Sequence, residues 1–326
     1  MVGPSSRVSK GLVTLLVLLL LYYAFMDYNL FFRIKNYPVG DAINGSSYGY
    51  VSWIGCDVNP LCDVTVKAVL LDHTNLYVFA PFVTLFDDVF QVSAVRFITP
   101  NAISCFHIGV AVASAWCVAG DRLASRRVGV VLFELRTCLD DLDGYVARKR
   151  KHVKGEHSDV GTVGYYVDGI CDAIGCAALL VGMLWYLRNN PPRRGYVQLP
   201  STDVKPRPQN VVTKLGCFTS QLVISSIAWN RYIALYQNLL ETGDAPGRPR
   251  RDAVFESTVF FAVSFLWRMF NVHNMLHCAL LAIFCDKLWE FLCHVQYVGY
   301  AVLLCVICVT EAHYVHAKAY VLSTVR

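Results

Sequence analysis

Long apolar runs separated by short polar breaks dominate the chain, and their lengths rather than any alternation predict its elements. Residues 11–32 are apolar apart from Asp27. Further runs lie at about 99–120, 128–139, 165–187, 211–237, 253–269, 272–291 and 296–312. Runs of about 20 apolar residues match the ~30 Å hydrocarbon core of a bilayer, so the pattern predicts an all-α, polytopic membrane bundle. Residues 1–32 read as a short N-terminus plus an uncleaved anchor. Arg7 and Lys10 precede it and no small-residue cleavage site follows, which places the N-terminus in the cytosol. Residues 33–75 are polar and turn-rich, and so belong on the luminal side. Residues 76–97 are rich in Phe and Val but hold Asp87 and Asp88 mid-run, which predicts an amphipathic helix lying at the interface, not a span. A core over 99–315 and a tail over 316–326 complete the division.

Composition agrees with this picture. The 326 residues are 55% hydrophobic and only 16% charged, less charge than a soluble domain carries. A net charge of +5 is too mild to suggest nucleic acid as a partner. The luminal segment holds two features of the secretory pathway. One is the sequon Asn44-Gly45-Ser46; the other is Cys56 and Cys62, which bracket a short loop that a disulfide can close in an oxidising compartment. The other eleven cysteines fall mainly in apolar runs and read as small buried hydrophobes. His273 and His277 have i, i+4 spacing, but without a third ligand nearby in sequence they read as packing histidines. The Trp and Tyr residues near span ends read as interface anchors.

Carboxylates break the apolar pattern at one place. Asp140 and Asp143 stand three residues apart at the end of one run, and Gly164, Asp168 and Asp172 stand four apart at the start of the next. Each set lies on one face of a helix. A single Asp at a helix end is usually a cap or a solvated residue. Four beside membrane helices are expensive to hold and point to function. Oxygen ligands at such spacings suit Mg²⁺ or Mn²⁺.

The order Asp140-x-x-Asp143-Gly144-x-x-Ala147-Arg148, then Gly164-x-x-x-Asp168-x-x-x-Asp172, resembles the signature of the CDP-alcohol phosphotransferase family at all eight positions. The opening Pro100-Asn101-Ala102-Ile103-Ser104 also resembles the start of that family's first core helix. The chain departs from the family in one respect: fifteen residues separate Arg148 from Gly164, about twice the usual interval. The long spacer, and the chain as a whole, resemble the ceramide-modifying, insect-type branch of the family.

The resemblance implies a six-helix membrane core and two divalent ions, Mn²⁺ or Mg²⁺, held by Asp140, Asp143, Asp168 and Asp172. It implies Asp172 as general base and Asn101, Gly144, Ala147, Arg148 and Gly164 around the nucleotide. It further implies CDP-ethanolamine as donor, ceramide drawn from the lipid bilayer as acceptor, CMP as leaving group, and a homodimer. The basic spacer 149–159 would add cations for the diphosphate, with Glu156 and His157 as a further metal ligand or proton shuttle. Counting spans from a cytosolic N-terminus puts the aspartates at the lumen of a Golgi or other secretory membrane. Two alternatives stand beside this: an ethanolamine- or choline-phosphotransferase acting on diacylglycerol, and a cation-binding transporter.

Overall fold

The computed structural model describes residues 7–36, 56, 58–153, 155–156, 161–190, 208–242 and 247–323. The sequon at Asn44, His157 and most of the loop after Arg188 lie outside them. In chain order the helices are α1 (Arg7–Lys35), α2 (Val66–Leu70), α3 (Ala80–Phe90), α4 (Pro100–Val118), α5 (Leu123–Arg150), α6 (Val163–Asn189), α7 (Pro208–Leu240), α8 (Arg248–Phe255), α9 (Thr258–Phe270), α10 (Val272–Phe284) and α11 (Leu288–Leu322). Among the described residues there is no strand. The chain is an all-α membrane bundle. Helices α1, α4, α6, α7 and α11 are each long and apolar enough to cross a membrane. Helix α5 is long enough as well, about 42 Å at 1.5 Å per residue, but it is charged along one stripe.

Local chemistry sets the helix starts. Thr99 precedes Pro100 and accepts from the Ala102 N–H, Thr162 accepts from Tyr165, and Ser257 accepts from Phe260. These are ordinary N-caps with a proline at the first helical position of α4.

The later helices differ from the sequence reading. Instead of three spans at 253–269, 272–291 and 296–312, α9 and α10 run on from one another with only Asn271 between them, and α8 bends 54° away. Thirteen residues reach only about 20 Å, so α9 and α10 make one span together. The break that ends α10 is at Cys285–Lys287, where Asp286 adopts a left-handed φ of 59°. Helix α11 then runs unbroken for 35 residues and absorbs most of the expected tail. The apolar pattern marked the break at Asn271 but hid the Asp286 turn.

The segment before α3 is the second difference. Read as a polar luminal loop, it instead dips into the bundle: Val64, Val66, Ala68, Val69, Leu70 and Leu71 all belong to the main core. The run is mostly apolar, but Lys67 interrupts it and it is too short to register as a span. Its depth is fixed by its partners. Trp229 of α7 donates to the Leu70 carbonyl at 2.9 Å, and His73 and Tyr77 bond Asp27 of α1 at 2.7 and 2.8 Å. Arg268 of α9 approaches the same Asp27 carboxylate at 3.1 Å. Irregular backbone at membrane depth is tolerated where protein buries it, as here. A π-helical turn, Asn75–Phe79, then leads into α3 and back out.

Helix α3, about 16 Å long, shows an exposed face of Phe82, Leu85, Val89 and Phe90 while Asp87 is buried. Burial pushes the Asp87 carboxyl up, but hydrogen bonds from Lys149 and Ser93 outweigh it and hold it below the usual range. Arg150 donates to the carbonyls of Ser93, Val95 and Ile98 and so ties this return to the end of α5.

Contacts define two ends of the bundle. At one end meet Cys62 and Arg33, the starts of α4 and α6, the end of α5 and Glu241 just past α7. At the other lie the α4–α5 turn and Asp286, joined by Arg126 at 2.6 Å. The Cys56–Cys62 disulfide is formed, at the first end. Of the eleven free cysteines only Cys171 is buried, and Cys105, Cys278, Cys305 and Cys308 are exposed on helices. Trp116 and Trp185 are exposed near helix ends as expected of anchors, whereas Trp229 and Trp267 are core residues.

Small residues let α4, α5 and α6 approach closely, the usual device of membrane helix packing. A Cβ on Gly182 would sit 2.6 Å from the Ala115 carbonyl oxygen, whereas one on Gly109 would meet nothing within 4 Å. Gly182→Ala is therefore expected to lower the detergent-solubilised melting temperature by several degrees, an overpacking cost of about 1–3 kcal/mol. Gly109→Ala should leave it unchanged in the same thermal scan.

Candidate functional site

Three helix segments at one end of the bundle build the site. Helix α5 runs back alongside α4 and brings Asp140 and Asp143 to where α4 begins. Ser104 donates to Asp143 Oδ2 at 2.6 Å. His107 Nε2, fully buried, stands 3.4 Å from Asp140 Oδ1 and 4.0 Å from Asp143 Oδ2. Helix α6 starts at the same end and contributes Asp168 and Asp172. Arg136, one turn before Asp140, pairs with Asp172 and lies 3.8 Å from Asp140 Oδ1. Gly175 makes room for it: a Cβ there would come within 3.1 Å of Arg136 Nε.

Ligand atoms of His107, Asp140, Asp168 and Asp172 all lie within 4.8 Å of one another. The donor set is three carboxylates and one imidazole, a composition that suits a divalent cation. The buried Oδ1 atoms of Asp140 and Asp168, and both ring nitrogens of His107, have no hydrogen-bond partner among the described residues. Buried polar atoms are rarely left so. The residues present therefore fit a metal ion.

The structure gathers three of the four expected aspartates and adds a histidine. Asp143 is adjacent but engaged by Ser104. The other expected residues lie on the same three helices. Asn101 is exposed in the first turn of α4. Gly144 lets the Arg148 guanidinium lie close, 3.1 Å from where a Cβ would be, and Ala147 follows on the same helix. Gly164 opens α6 with nothing within 4 Å of its missing side chain.

Arg148 pairs with Glu156 at 2.5 Å, and Glu156 is also 3.4 Å from Lys67. Glu156 is therefore placed among cations and does not join the carboxylate cluster, which corrects its reading as a metal ligand. The Thr65 hydroxyl donates to the Glu156 carbonyl and ties Glu156 to the start of α2.

Several site residues escaped the sequence reading. Ser104 and His107 are three apart on one face of α4, and Arg136, Asp140 and Asp143 form an i, i+4, i+7 stripe on α5. Those spacings were the available signal. His277 is not a mere packing residue: its Nδ1 lies 3.0 Å from Glu134 Oε1. His273 does pack, edge-on to Trp229 at 5.4 Å.

A metal-binding cluster makes a prediction independent of turnover. Saturating Mn²⁺ should raise the melting temperature of the purified protein, since a ligand at 100 times its Kd stabilises by ~2.7 kcal/mol. His107→Ala and Asp168→Asn should lose most of that rise. An Mn²⁺-independent melting temperature would remove the metal centre.

Comparison with known proteins places the site in a family. Residues 1–324 match the family model described as ceramide phosphoethanolamine synthase. The chain is also 48% identical to a curated Drosophila melanogaster protein named ceramide phosphoethanolamine synthase, over 99% of this chain and 98% of that one. No solved structure matches it. Along essentially its whole length, the chain belongs to the ceramide phosphoethanolamine synthase family.

Proposed function

We propose that this protein transfers phosphoethanolamine from CDP-ethanolamine to the primary hydroxyl of ceramide, giving ceramide phosphoethanolamine and CMP. The observation that carries this reading is the His107–Asp140–Asp168–Asp172 cluster at the mouth of a membrane bundle, in a chain so similar to an enzyme of that name. The enzyme class is a CDP-alcohol phosphotransferase.

In this reading one or two Mn²⁺ or Mg²⁺ ions supply charge neutralisation at the diphosphate and at the departing CMP. An imidazole among the carboxylates favours Mn²⁺ over Mg²⁺. Arg148 binds diphosphate oxygens and exchanges Glu156 for them, a charge-assisted pairing that suits a guanidinium. Gly144, Ala147 and Gly164 leave room for the nucleotide, and Asn101 borders it. The ceramide oxygen attacks the phosphorus that carries ethanolamine, the bond from that phosphorus to the CMP oxygen breaks, and Asp172 takes the hydroxyl proton. Arg136 holds the Asp172 carboxylate in place. The acceptor enters between helices from the lipid.

We further infer a Golgi or other secretory membrane with the site facing the lumen. Two features support this: α1 separates the N-terminus from the site end, and the Cys56–Cys62 disulfide lies at that end, as an oxidising compartment allows.

Purified protein given Mn²⁺, CDP-ethanolamine and either ceramide or diacylglycerol should yield ceramide phosphoethanolamine by mass spectrometry. Product from diacylglycerol alone would replace the acceptor but keep the carboxylate chemistry. Asp172→Asn should lower kcat by about 10²–10⁴-fold, the usual contribution of a positioned base, with CDP-ethanolamine binding retained in a calorimetric titration. Arg148→Ala should instead act mainly on the KM for CDP-ethanolamine.

A further inference from the structure

A second polar cluster lies deeper in the bundle than the catalytic carboxylates, and the chemistry described so far does not use it. Asp72 is fully buried where the dipping segment turns, and its Oδ2 accepts from the Asn75 N–H at 3.0 Å. Its other oxygen, Oδ1, has no hydrogen-bond partner among the described residues; nor have the buried Asn75 Oδ1 and His277 Nε2. His277 Nε2 lies 3.9 Å from Asp72 Oδ2. Asn75 begins a π-helical turn, a feature found often at functional sites.

Two of the three orphan atoms share one chemistry. His277 stands between two carboxylates, with Nδ1 3.0 Å from Glu134 Oε1 and Nε2 on the Asp72 side. Asp72 Oδ1 and Asn75 Oδ1 are both acceptors. The cluster therefore calls for donors, and a buried carboxylate oxygen left without one is costly. It also lies close to the site. Glu134 precedes Asp140 by less than two turns of α5, and His273, one turn from His277, stands within electrostatic reach of both Asp72 and Asp172.

We propose that Asp72, Asn75 and His277 form the subsite that recognises the sphingoid head of the acceptor, with Asp72 Oδ1 accepting from its amide N–H or secondary hydroxyl. This inference rests on the ceramide reading above. A lipid whose primary hydroxyl reaches Asp172 carries those two donors on the next two carbons. Diacylglycerol offers only ester oxygens at the corresponding places, acceptors that a carboxylate repels. A site built to bond a substrate N–H or O–H strongly rejects an analogue that lacks it. The discriminating residue thus comes from the segment ahead of the carboxylate signature, while the signature supplies the chemistry.

The test compares acceptors on the full-length protein with Mn²⁺ and CDP-ethanolamine: ceramide, ceramide without its 3-hydroxyl, N-methylated ceramide and diacylglycerol. Wild-type kcat/KM should fall about 10- to 100-fold on at least one ceramide analogue, the contribution of one hydrogen bond to a charged group. Asp72→Asn keeps an oxygen for the Asn75 N–H but places an amide donor where Oδ1 was. It should lose a similar factor on ceramide and little on that analogue, so the preference collapses towards one while the KM for CDP-ethanolamine stays put. Asn75→Leu should shift the same ratio and serves if Asp72→Asn does not fold. Equal losses on all acceptors, or a wild-type enzyme indifferent to both analogues, would overturn the subsite. Wild-type product from diacylglycerol but not ceramide would sink the functional reading instead.

Discussion

The structure depends on keeping carboxylates inside an apolar bundle. Asp140, Asp143, Asp168 and Asp172 cannot share one end of three membrane helices unless something offsets their charge, because buried like charges repel strongly at low dielectric. Arg136 is the offset that the chain itself provides, pairing with Asp172 and approaching Asp140. Ser104 satisfies one oxygen of Asp143. What remains is a set of orphan ligand atoms facing one another, a set that fits a divalent cation. The tight packing of α4, α5 and α6 follows from the same constraint. Gly175 admits the guanidinium and Gly182 brings α6 against α4; a looser bundle would separate the ligands.

The dipping segment extends this logic towards the lipid. Asp27 of α1 gathers His73, Tyr77 and Arg268 into a buried network that fixes the depth of residues 70–77. The anchor helix is therefore more than a tether: its buried Asp27 positions the polypeptide that holds Asp72. The spacer after Arg148 is tied to the same segment through Thr65 and Lys67. The long interval that sets this chain apart from the wider phosphotransferase pattern is thus used, in part, to reach the N-terminal segment.

Much of this was legible in the sequence, and the limits have physical causes. Run length revealed the spanning helices because a bilayer demands about 20 apolar residues. The spacing of Asp140, Asp143, Asp168 and Asp172 pointed to the candidate site because carboxylates beside such runs are expensive to hold. His107 and Arg136 were hidden because a lone His or Arg in a helix carries no signal until its partners are placed by tertiary contacts. Residues 64–71 were missed because a short stretch that includes Thr65 and Lys67 and is flanked by polar turns looks like a loop until Trp229 and Asp27 are seen to hold it at depth. The α9–α10 span was misdivided because the punctuation, an Asn cap and a left-handed Asp, is weaker in sequence than proline or glycine.

The central claim is that the ends of α4, α5 and α6 form a metal centre that presents a nucleotide diphosphate to a lipid hydroxyl. The most direct measurement is an experimental structure in lipid nanodiscs with Mn²⁺ and a non-transferable CDP-ethanolamine analogue. The account predicts metal density bounded by His107, Asp140, Asp168 and Asp172, with the diphosphate reaching Arg148 in place of Glu156. A diphosphate bound elsewhere, with Arg136 still closing an empty carboxylate cluster, would contradict it.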